Sequence, residues 1–93
     1  MIVLIFLFLF QCFSLQGQTS KEVEKLVDRA VELIKDKNYT GALHILEEAK
    51  NKDKNYWPVY LYTGMAYHLN TDYGKAIIYY KIFIKNAGTH QKL

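Results

Sequence analysis

"NYTGA" at Asn38–Ala42 returns as "DYGKA" at Asp72–Ala76, and this echo decides how the chain is read. Ala42 and Ala76 stand 34 positions apart, as do Tyr39 and Tyr73. The same interval links Ala30 to Gly64, Leu33 to Tyr67 and Leu46 to Tyr80. Five pairs alike in type at one period point to an internal repeat, and a period of this length belongs to helical arrays.

Each unit reads as two helices. In the first, Leu26, Ala30, Leu33 and Ile34, joined by Val23, Val27 and Val31, recur at the three-and-four spacing of an amphipathic helix. Thr19-Ser20-Lys21-Glu22 places Glu three residues after Thr, a capping box for its start. "KDKN" at Lys35–Asn38 ends it, with lysines suited to the negative end of the helix dipole. The second helix carries Ala42, Leu43, Ile45, Leu46 and Ala49 and closes in the polar run Lys50–Asn55. The third opens at "YWPVY", where Pro58 suits a first turn that needs no N–H. It runs to about Leu69, "NTD" makes the turn, and a last helix reaches about Asn86, with Ala87-Gly88 as a glycine stop. Small residues at Ala30, Ala42, Gly64 and Ala76 let paired helices approach, while Leu33, Leu46, Tyr67 and Tyr80 fill the space beside them. Tyr39 and Tyr73 are expected at the hairpin turns with rings buried and hydroxyls wet. Asn38 and Asp72 are the N-caps of the helices that follow them.

Taken together, the two units resemble tetratricopeptide repeats (TPRs), 34-residue helix–turn–helix units with a W-x2-L-G-x2-Y, A-x3-F, Pro pattern. Tyr60, Thr63, Gly64 and Tyr67 fall on the first part of that pattern, and Ala76 and Tyr80 on the second. Leu26, Arg29, Ala30 and Leu33, then Ala42 and Leu46, follow it more loosely, so the resemblance spans Val23 to Gly88. It departs where Arg29 and Thr63 replace a usual Leu, Phe83 replaces a small residue equivalent to Ala49, and Lys54 and Gly88 replace the terminal Pro. The expected architecture is therefore all-α, an α-solenoid of two TPR hairpins behind an apolar leader helix. The units are 19–56 and 57–90, with 91–93 opening a third unit or cap.

The leader occupies residues 1–18. From Met1 to Leu15 only Gln11 and Ser14 are polar. A helix of that length reaches about 22 Å, short of the ~30 Å hydrocarbon core, which favours a signal peptide over a stable span. Gly17 before Gln18 offers a cleavage site, although Leu15 is large for its place. No Lys or Arg precedes the apolar run, which leaves open an upstream start or an uncleaved membrane anchor. Acylation at Cys12 is a third reading, disfavoured by Phe10 and Gln11 where lipoprotein signals carry small residues. The protein is expected to be exported, in the periplasm, cell envelope or secreted fluid, or else anchored by residues 1–15.

Charge and composition narrow the function classes. The formal net charge is +3, from 12 basic and 9 acidic residues. Thr19–Tyr56 balances eight against eight, so the whole excess lies in Trp57–Leu93, with four lysines against Asp72. A basic aromatic surface can stack on single-stranded nucleic acid. The lysines Lys75, Lys81 and Lys85 are however spread along one helix, and no RNA-binding signature accompanies them. Cys12 is the one cysteine, so no intrachain disulfide forms. His44, His68 and His90 lack metal-ligand spacing, Glu47 and Glu48 are adjacent and so do not share a helix face, and no phosphate loop or nucleophile motif occurs. Neither catalysis nor a cofactor is expected.

The resemblance implies a protein or peptide partner bound in a concave groove lined by the first helix of each unit. Glu24, Val27, Val31 and Lys35 would come from the first unit. Leu61, Met65, His68 and Leu69 would come from the second, with Asn55 and Tyr56 at the junction. Met and Leu suit an apolar peptide or amphipathic helix. Val27 and Val31 stand where a carboxylate clamp needs polar groups, so that mode is disfavoured. The last helix, with Ile77, Ile78, Tyr80, Ile82, Phe83 and Ile84, is apolar on more than one side. A second copy, a partner or further chain is expected to cover it, because a stack of this kind usually needs three units or a polar cap.

Overall fold

The computed structural model of the chain describes residues 21–91, which form four helices and no strand. The leader, Cys12 and Thr19-Ser20 of the expected capping box lie outside the described residues. The helices are α1 (21–35), α2 (Tyr39–Lys52), α3 (Pro58–Leu69) and α4 (Tyr73–Gln91). Among the described residues no helix is long and apolar enough to cross a membrane.

The two short turns, α1–α2 and α3–α4, carry the same hydrogen bonds. After α1, Asn38 N–H donates to the Leu33 carbonyl at 2.8 Å and Lys37 N–H to Ile34 at 2.9 Å. After α3, Asp72 N–H donates to Tyr67 at 2.9 Å and Thr71 N–H to His68 at 3.0 Å. This is the Schellman closure, which satisfies carbonyls the helix end leaves unpaired. It requires a left-handed residue, supplied by Lys37 (φ 65°) and Thr71 (φ 66°) rather than by glycine. The next residue caps the following helix: Asn38 Oδ1 accepts from Gly41 N–H at 3.0 Å, and Asp72 Oδ1 from Lys75 N–H at 3.4 Å. Both expected N-caps are present, and every matched position is 34 apart.

The core forms where small residues allow close approach. Val23, Val27, Ala30 and Ile34 of α1 meet Ala42, Leu46 and Ala49 of α2 and Val59 and Ala66 of α3, all buried. Gly64 fits α3 against α4: a Cβ there would lie 2.7 Å from the Tyr80 ring. Thr63, in a place where the pattern favours Leu, is buried, and its hydroxyl donates to the Val59 carbonyl at 2.7 Å. That bond satisfies the polar group within its own helix. The longer α2–α3 link is pinned by the Tyr60 hydroxyl, which donates to the Lys54 carbonyl at 2.6 Å, and by Asp53 Oδ1 accepting from Asn55 N–H at 3.0 Å.

Two expectations are corrected. The last helix does not stop at Ala87-Gly88 but continues through both to Gln91. Among the described residues no glycine adopts positive φ, and without that reversal a glycine near a helix end is merely a weak helix residue. Tyr73 is not buried like Tyr39: it is 57% exposed, whereas Tyr39 packs on the core. The cause is that α3 lies along α2, while no described helix follows α4.

Candidate functional site

Leu61, Met65 and Leu69 recur every fourth residue on α3 and therefore share one face. Leu61 and Met65 are half-buried and Leu69 is 49% exposed, leaving an apolar stripe on a helix whose other face is core. Tyr56, just before α3, packs against that core. Burial pushes its hydroxyl above the usual tyrosine range, and the nearby carboxylates of Glu24 and Asp28 add to the effect. Tyr56 thus joins the α1 edge to the start of the α3 stripe.

The remaining expected groove residues divide by burial. Glu24, Lys35 and Asn55 are exposed, and Lys35 Nζ pairs with Glu32 at 3.4 Å. Val31 is half-buried and packs on the core. Val27 is corrected: at 4% exposure it is a core residue and lines no surface. It sits four residues after Val23 and three before Ala30, on the inward side of α1, so helical phase places it in the core. His68 is exposed but engaged by α4; its Nδ1 and the Tyr80 hydroxyl share a 3.2 Å hydrogen bond. Its ring also meets Tyr73 edge-on with centroids 5.6 Å apart.

Two features escape a reading of the sequence because they join distant residues. One is a ladder across three helices in which two stacked rings lie between two ion pairs. Asp72 pairs with Lys75 at 3.9 Å, and Lys75 Nζ lies 5.4 Å from the Tyr67 ring centroid. Tyr67 stacks on Tyr79 at 5.6 Å, Lys50 Nζ lies 5.8 Å from the Tyr79 ring, and Lys50 pairs with Glu47 at 2.9 Å. The other is an open depression of about 320 Å³ between α1 and α2, lined by Glu22, Lys25, Leu26, Arg29, Glu48 and Lys52. Lys52 reaches Glu22 across it at 3.4 Å. It is charged and shallow, and none of the expected groove residues lines it.

Among the described residues no three His, Cys, Asp or Glu side chains gather so as to hold a metal ion. What α3 offers chemically is contact: an apolar stripe, with Tyr56 before its start lying near the carboxylates of Glu24 and Asp28. Compared with protein-family models, with curated proteins and with solved structures, the chain matches none.

Proposed function

We propose that the chain is an exported TPR-type module that binds a peptide or helix of a protein partner and performs no catalysis of its own. The observation that carries this reading is the apolar stripe on one face of α3, with Leu61 and Met65 half-buried and Leu69 exposed. Uncovered apolar side chains that share one face and are edged by charges suit an amphipathic segment, and Met adapts to irregular partners. The matching turns 34 residues apart support a two-unit array, since each hairpin then presents its first helix, α1 or α3, on the same side. Glu24 and Lys35 are exposed and would form its charged rim.

A photo-crosslinking amino acid at Met65 or Leu69, introduced in the source cells, should give a discrete adduct that the same group at Glu48 does not. Equal labelling at both sites, or none, would remove the groove. Export is tested separately by intact mass in fractionated cells. A soluble chain beginning near Gln18 supports it, and an unprocessed chain in membranes does not. The second outcome would favour the alternative, a piece of a longer membrane-anchored TPR scaffold. The exposed isoleucines of α4 lend that alternative its support.

A further inference from the structure

We propose that Tyr67 and Tyr79 form an oxidative cross-linking site, at which a dityrosine bond staples α4 to α3. All eight tyrosines lie among the described residues, and this is the pair whose rings stack, with centroids 5.6 Å apart and planes 19° from parallel. Faces in full contact would lie about 3.5–4 Å apart, so rings at this separation are slid past one another. Sliding leaves a short path between ring carbons, and a modest turn of each side chain about Cα–Cβ would bring the carbons flanking the hydroxyls together. Lys75 Nζ lies 5.4 Å from the Tyr67 centroid and Lys50 Nζ 5.8 Å from that of Tyr79. Each lysine is tied to a carboxylate, Asp72 or Glu47, and its attraction to the ring keeps the pair in place. Both rings are half-buried, packed enough to stay together and open enough for a small oxidant.

The chemistry needs two equivalents of a one-electron oxidant, a class that includes the oxidised haem of a peroxidase. Each tyrosine gives up one electron and its hydroxyl proton, leaving a phenoxyl radical with spin on the carbons beside oxygen. The two radicals share their electrons in one new bond between those carbons. Each bonded carbon then releases its hydrogen as a proton while the oxygen takes one up, which restores both rings and both hydroxyls. The net loss is two electrons and two protons. The other tyrosines are placed differently. The Tyr80 hydroxyl bonds His68, that of Tyr60 donates to the Lys54 carbonyl, and the Tyr73 ring meets His68. Cys12 is the one cysteine, so a disulfide cannot join these helices.

The site shares no residue with the α3 stripe and is tested without reference to it. The full chain, kept dilute, is treated with photogenerated ruthenium(III) tris-bipyridyl, a freely diffusing one-electron oxidant. The expected product is a monomer lighter by two hydrogens, with dityrosine fluorescence and a cross-link mapped by mass spectrometry to Tyr67 and Tyr79. Tyr67→Phe and Tyr79→Phe preserve the ring packing, which circular dichroism checks, and each should abolish that product, while Tyr73→Phe leaves it unchanged. The purified product should exchange its α4 amides more slowly than the parent and melt at a higher temperature, because a closed loop restricts the unfolded chain. The site is overturned if no intramolecular product forms, if the link maps to another pair, or if the yield is the same in urea. Unchanged α4 exchange in the cross-linked chain would overturn the staple.

Discussion

Lys37 and Thr71 hold left-handed backbone without being glycine. An L side chain there costs roughly 1–2 kcal/mol, and Thr, branched at Cβ, tolerates it least. Lys37→Gly and Thr71→Gly should each raise stability by about 0.5–1 kcal/mol, the relief being partly offset by the freedom glycine has when unfolded. Urea midpoints check this, and a loss at both sites would contradict the turn geometry. Gly64 presents the opposite case. Alanine there gains helix propensity but drives a methyl into the Tyr80 ring, so Gly64→Ala should cost about 1–3 kcal/mol. Ala30 and Leu46 hold the positions 34 earlier, which gives a built-in rescue. Adding Tyr80→Leu to Gly64→Ala should recover much of the loss, whereas additive losses would mean the ring is not the obstacle.

At the level of helices, much of the fold was legible and the failures share a cause. Pro58 marks the start of α3, and Asn38 and Asp72 cap α2 and α4, because these signals act within a few residues. The 34-residue spacing placed both hairpin turns, yet Lys37 and Thr71 could not be recognised as their left-handed residues, since neither has the side chain that usually marks one. Gly88 misled for the converse reason: glycine permits a stop without compelling one. A Cβ at Gly88 meets nothing within 4 Å and φ is not positive there. Gly88→Ala should therefore stabilise α4 by about 0.5–1 kcal/mol, read as a higher melting temperature; destabilisation would restore the stop. Of the candidate site, the Leu61, Met65 and Leu69 stripe was readable from its spacing. Val27 was misplaced because every α1 valine is apolar, and only helical phase against α2 and α3 tells which are core.

For the molecule as a whole, the titrating groups predict how stability follows pH. Burial raises the Tyr56 and Tyr80 hydroxyls above the usual tyrosine range. Lys50 is also raised, chiefly by its hydrogen bond to Glu47. In each case the folded state holds its proton more tightly than the unfolded chain. The resulting stability is complete below the unfolded values, about pH 10, and drains away as pH rises through the folded ones. Thermal melts at increasing alkaline pH should fall, and Tyr56→Phe should flatten part of that fall. A melting temperature that climbs above about pH 10 would mean that the fold favours the ionised forms, and a flat one would place these hydroxyls in water.

α3 lies along α2, and α4 lies along α3 with no described helix beyond it. In time, that arrangement is an unzipping order. Opening can begin at α4, whose departure leaves the buried set of Val23, Leu46 and Val59 intact, whereas releasing α2 dismantles it. Amide protons of α4 should exchange with deuterated water sooner than those around Leu46. Uniform exchange across the helices would show instead that the chain opens all at once.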